Sequence, residues 1–140
     1  MNKVGIAALL VLLSAMDATA QTSSMWDGVY TDAQATRGAA GFTGHCASCH
    51  GANLGGTGEA PALVGPQFLS DFDTLSLGDL FDRIRTTMPQ GNPGSLTRDQ
   101  YDDILAFLLK ANGLPSGPKE LDRRSEYLKA IGFSAANPHP

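Results

Sequence analysis

Apolar residues recur at helical spacing in two stretches of this 140-residue chain. In "SLGDLFDRIRTT", Leu77, Leu80, Phe81 and Ile84 fall on one face, with Ser76 placed as N-cap and Asp79 three positions on. This helix must stop by Met88, because Pro89 disfavours helical backbone in the residue before it. In "TRDQYDDILAFLLKANG" the stripe is Tyr101, Ile104, Leu105 and Leu108, opened by a Thr97/Gln100 capping box and closed by Gly113. A third helix is predicted over "DAQATRGAAGFTGHC", opened by Thr31 with Gln34. The passages "GANLGGTGEAPALVGP" and "PQGNPGS" hold too much Gly and Pro for regular structure. No stretch alternates like a strand, so the expected class is all-α.

The first twenty residues form a separate segment. "MNKVGIAALLVLLSAMDATA" has Lys3, an apolar run from Val4 to Ala15, and the small-x-small end Ala18-Thr19-Ala20. Twelve apolar residues fall short of the roughly 20 that span hydrocarbon. Residues 1–20 are therefore read as a cleaved signal peptide, with export to the periplasm and no membrane span in the mature chain. The rest is one domain by length. It divides into an N-terminal extension over 21–31, a core over 32–113 and a C-terminal extension over 114–140. In that last extension Leu121, Leu128 and Ile131 fall roughly on one face of a possible short helix, with Glu120 four positions before Arg124. A net charge of −4 argues against nucleic acid as a partner.

Both cysteines lie in "HCASCH", residues 45–50. A thioredoxin-type pair would follow a strand, and none is predicted. A structural zinc site would need four ligands, usually from a second such pair. A disulfide across two residues is possible in an exported chain, but it leaves His50 unexplained. C-x-x-C-H is the attachment sequence of c-type haem, in which Cys46 and Cys49 form thioethers and His50 becomes an axial iron ligand. A second axial ligand is expected to be Met or His. Met88, 38 positions after His50 in "TTMPQGNPGS", ends a predicted helix and sits in a loop too polar for core. Met25 stands near the chain end, His45 abuts Cys46 and His139 is penultimate, so Met88 is the candidate.

The pattern resembles the monohaem class I cytochromes c. Gly38 and Phe42, eight and four positions before Cys46, stand where that family has a glycine and an aromatic on its N-terminal helix. The resemblance implies a cytochrome c fold, with the last helix crossing at Gly38 through Ile104 and Phe107 or Leu108. It also implies that Pro61, in "APALVGP", offers its carbonyl to the ring N–H of His50. Leu63, Val64, Phe68, Leu69, Leu80 and Ile84 are expected to wall the haem, and Arg83 or Arg85 to pair with a propionate.

More narrowly, "VYTDAQATRGAAGFTGHCASCHGANLGG" and "LFDRIRTTMPQGNPGSLT" are similar to cytochromes that accompany exported PQQ-dependent dehydrogenases. The chain shows no nucleophile arrangement, Gly-rich phosphate loop or close carboxylate pair. It is therefore expected to be an electron carrier and not an enzyme, either a free shuttle or an electron-transfer subunit of a dehydrogenase. The similarity implies that it takes electrons from such a dehydrogenase and passes them to a terminal oxidase or another cytochrome. A labile sixth ligand would instead make the protein a haem-based gas binder. With Lys110, Lys119 and Lys129 as the only lysines after residue 20, docking through a basic ring is not expected.

Overall fold

A computed structural model describes residues 23–58 and 60–139; the expected signal peptide lies outside the described residues. Among the described residues six helices follow one another: α1 (Asp32–His45), α2 (Ala47–His50), α3 (Pro66–Asp71), α4 (Leu77–Thr87), α5 (Arg98–Ala111) and α6 (Ser125–Lys129). Two-residue strands, β1 (Ser23–Ser24) and β2 (Ile131–Gly132), pair in parallel and tie the N-terminal extension to the C-terminal one. This pairing is too short to leave any alternation in the sequence, and the fold class remains all-α.

The helix boundaries follow local chemistry. α4 opens with a reciprocal capping box between Ser76 and Asp79, and α5 with one between Thr97 and Gln100. The hydrogen bonds hold the Asp79 carboxyl below the usual carboxylate range. α5 closes with the Leu114 N–H on the Leu109 carbonyl and the Gly113 N–H on Lys110, the doubled pattern of a Schellman end. At α1 the Thr31 hydroxyl accepts the Gln34 N–H, but the Gln34 side chain does not complete a box. It turns inward to Asp102 and Leu121 instead. α3 begins with Pro66, whose missing N–H costs nothing at a first helical position; the surrounding glycines and prolines had concealed this helix.

α1 and α5 pack against each other along their lengths. Gly38 is what permits this. A Cβ there would stand 1.8 Å from the Asp103 carbonyl oxygen and 2.9 Å from Phe107 Cβ, so no other residue fits without moving a helix. One turn on, the rings of Phe42 and Phe107 meet at 5.4 Å in a tilted pair.

The extensions are built into the main core rather than laid on it. Met25 and Tyr30 from one, and Leu114, Leu121, Leu128 and Phe133 from the other, are buried with Leu77, Phe81, Tyr101 and Leu105. Each large apolar side chain so buried contributes about 2 kcal/mol. The tail departs from its expected form in two respects. Leu121 lies outside α6, and Ile131 is in β2. Glu120 pairs with Arg37 of α1 at 3.0 Å, while Arg124 pairs with Asp122. A second, smaller cluster joins Phe42, Leu54, Ile104 and Leu108, and the candidate site is built around it.

Candidate haem-binding site

α1 stops at His45, and the backbone turns at Cys46 with its N–H still on the Phe42 carbonyl. α2 follows at once. The His50 N–H bonds the Cys46 carbonyl at 3.0 Å, so Cys46, Cys49 and His50 share one rigid helical turn. The two thiols are not bonded to each other; Cys46 is half-buried and Cys49 exposed. Burial, and then the neighbouring Cys49, push the Cys46 thiol up, which favours its neutral form.

His50 is buried, with 9% of its surface exposed. Its Nδ1 lies 2.8 Å from the Pro61 carbonyl oxygen. A carbonyl can only accept, so Nδ1 carries a proton and Nε2 is the ring nitrogen left to bind a metal. Pro61 reaches this position through a tight loop. The Gly56 N–H bonds the His50 carbonyl, and Thr57 and Ala60 exchange two backbone hydrogen bonds. Gly56 has φ +79°, and a Cβ there would lie 2.6 Å from the Ala60 carbonyl oxygen and 2.9 Å from the Pro61 carbonyl carbon. Only glycine meets both conditions. The Thr57 hydroxyl also bonds the Cys49 carbonyl, pinning the loop to α2.

Met88 is the C-cap residue of α4, half-buried, with its N–H on the Ile84 carbonyl at 2.9 Å. The following peptide to Pro89 is cis. Its carbonyl accepts a 2.7 Å hydrogen bond from the hydroxyl of Tyr101 on α5. Tyr101 counted in the sequence only as part of an apolar stripe. A buried tyrosine needs a partner for its hydroxyl, and that was the available signal.

The apolar surroundings differ in part from those expected. Leu63, Val64 and Ile84 are half-buried against the smaller cluster, joined by Leu96, Cys46 and Ala47. Phe68 and Leu80 are closed in by the larger core, Phe68 through ring contacts with Phe72 and Phe133. Arg83 is exposed near the Phe72 ring. Arg85 is different: its Nε is buried without a hydrogen-bond partner among the described residues. His45 is exposed, and His139 lies 3.4 Å from Asp27 near the paired extensions.

An open cleft of about 760 Å³ lies elsewhere, bounded by Gln34, Asp102 and residues 120–124, and holds no residue of this site. Its rim charges are largely paired, Arg37 with Asp103 and Glu120, Arg123 with Asp99, and Arg124 with Asp122.

The donor set fits a c-type haem. Two free thiols stand one helical turn apart, beside an imidazole whose bound Nδ1 leaves Nε2 open. A half-buried apolar collar packs together with Cys46, and the orphaned Arg85 Nε is a donor that a propionate could satisfy. Comparison with known proteins agrees with this chemistry. The family model described as "Cytochrome C oxidase, cbb3-type, subunit III" matches residues 33–108, more than half of the chain. The chain belongs to this family of cytochrome c domains. Among solved structures it is similar to a chain of the sulfane dehydrogenase SoxCD from Paracoccus pantotrophus, at 27% identity and a TM-score of 0.54. That alignment covers 93% of this chain and 67% of the other. Among curated proteins, none matches by sequence. The protein is a monohaem class I cytochrome c; its cofactor is one covalent haem c and its work is electron transfer.

Proposed function

We propose that Cys46 and Cys49 would carry the haem as thioethers, that His50 and Met88 would hold its iron, and that the protein shuttles single electrons in the periplasm. The observation that carries this reading is the 2.8 Å contact of His50 Nδ1 with the Pro61 carbonyl, beside two unbonded cysteines. Bound haem supplies the ferric/ferrous couple. The chain's residues do the rest. The Pro61 carbonyl fixes the His50 tautomer and raises the basicity of Nε2. The Met88 thioether favours ferrous iron and raises the potential relative to a second imidazole. Leu63, Val64, Ile84 and Leu96 keep water from the cofactor.

The proposed donor is a PQQ-dependent dehydrogenase, and the acceptor a terminal oxidase or another cytochrome. Likeness to a chain of a sulfane dehydrogenase supports a dehydrogenase donor in general terms. The signal-like residues 1–20 support the periplasm, and no helix of the described residues is long and apolar enough to cross a membrane. Residues 39–70 and 86–97, which supply much of the site, hold Glu59 as their one residue of the Lys, Arg, Asp and Glu types. This favours weak docking through a face with few, scattered charges.

Visible spectra of the purified holoprotein, oxidised, reduced and reduced under CO, test the reading. A low-spin c-type spectrum with the Met-to-ferric charge-transfer band and no CO shift is expected. A CO-shifted spectrum would replace the carrier by a gas-binding protein.

A further inference from the structure

The segment that carries Met88 has little holding it. Residues 90–95 are exposed, and their backbone bonds stay within the loop, from Asn92 to Pro89 and from Ser95 to Asn92. At its start the Met88 N–H is tied to the last turn of α4. Among the described residues, the hydrogen bond from Tyr101 is the only one that reaches residues 88–96 from a separate element. Tyr101 suits this task because it cannot shift. It is 1% exposed in the main core, and its own N–H is committed to the Thr97 carbonyl in the first turn of α5. A methionine side chain has three free torsions, so its sulfur is only as well placed as its backbone.

We propose that Tyr101 is a positioning residue for the sixth iron ligand, its hydroxyl fixing the Met88 carbonyl so that the thioether stays in place. The inference rests on Met88 being that ligand. Its effect is greatest in the ferric state, because the soft sulfur binds the harder ferric ion less tightly. Removing the hydroxyl frees Met88 from α5 while leaving the ring in the core.

The test is a titration of the full-length ferric holoprotein with imidazole, which competes with the thioether and abolishes its charge-transfer band. Tyr101→Phe is expected to bind imidazole about fivefold more tightly than wild type, the worth of one neutral hydrogen bond. Tyr30→Phe is the control. It deletes a similar buried hydroxyl, bonded to the Leu114 carbonyl at 2.6 Å, without touching the Met88 loop, and should leave the affinity unchanged. Wild-type affinity in Tyr101→Phe, or an equal change in Tyr30→Phe, would overturn the role of Tyr101. Met88→Ala separates the two claims: if it keeps the band and the wild-type affinity, the ligand assignment itself fails.

The wild-type protein offers a second measurement should Tyr101→Phe accumulate poorly. The hydroxyl proton of Tyr101 should exchange slowly with solvent and faster once imidazole has displaced Met88. An exchange rate indifferent to imidazole overturns the proposal.

Discussion

Asp102 offers the sharpest test of how the C-terminal extension is held. This carboxyl lies on α5, 3% exposed, and its Oδ2 accepts from Gln34 Nε2 at 2.9 Å. Its Oδ1 is buried without a partner among the described residues. Gln34 in turn accepts the Leu121 N–H at 2.8 Å, so α1, α5 and the extension meet here. Burial, with Asp103, Asp122 and Asp99 nearby, outweighs the Gln34 bond and pushes Asp102 from 3.8 up to about 7. Between about pH 4 and pH 7 the folded protein keeps a proton that the unfolded chain has released. Stability therefore falls as the pH rises through this window, and is level on either side of it as far as Asp102 is concerned. Three units at roughly 1.4 kcal/mol each amount to ~4 kcal/mol. Asp32, Asp79 and Asp122 act oppositely: their carboxyls are lowered by hydrogen bonds, and that stability is lost only in more acid solution.

Asp102→Asn removes the titration and leaves Gln34 an acceptor. Denaturant unfolding of both holoproteins, followed by circular dichroism at pH 4 to pH 8, should show the variant gaining on wild type by about 3–4 kcal/mol as the pH rises. Taking the difference between the two proteins cancels the titration of every other group. Parallel stability curves would mean that Asp102 reaches solvent, and the buried junction would be wrong.

Met88→Ala should keep its covalent haem, lose the charge-transfer band, bind CO when reduced and show a lower midpoint potential; unchanged ligation would remove Met88 from the site. Cys46→Ala and Cys49→Ala should each lower the yield of covalent haem, and the double variant should hold none that survives extraction with acid and organic solvent; covalent haem retained by the double variant would end the assignment. Gly38→Ala should destabilise the fold by roughly 3 kcal/mol, because a backbone carbonyl rather than a side-chain tip occupies the space of its Cβ. Thermal unfolding measures this, and a change below about 1 kcal/mol would show that α1 and α5 part easily.

The sequence by itself determined the features that depend on neighbours within a turn. The boxes at Ser76/Asp79 and Thr97/Gln100 close across three residues, and the run from Cys46 to His50 occupies one helical turn. Apolar periodicity located α4 and α5 for the same reason: a helix repeats every few residues, so its buried face is written locally. Thr31 with Gln34 marks the limit of such reading. The backbone half of the cap formed, but the Gln34 side chain found Asp102, 68 positions away, and Leu121, 87 positions away. Glu120 likewise chose Arg37 over Arg124, and the short strands joined the two extensions.

Tertiary structure alone decided where Tyr101 sends its hydroxyl and which apolar residues face the core rather than the collar. Several partners are chemically acceptable for each of these groups. Only the packing of α5 and the extensions on the rest of the chain decides which of them lies within 3 Å when water has been excluded.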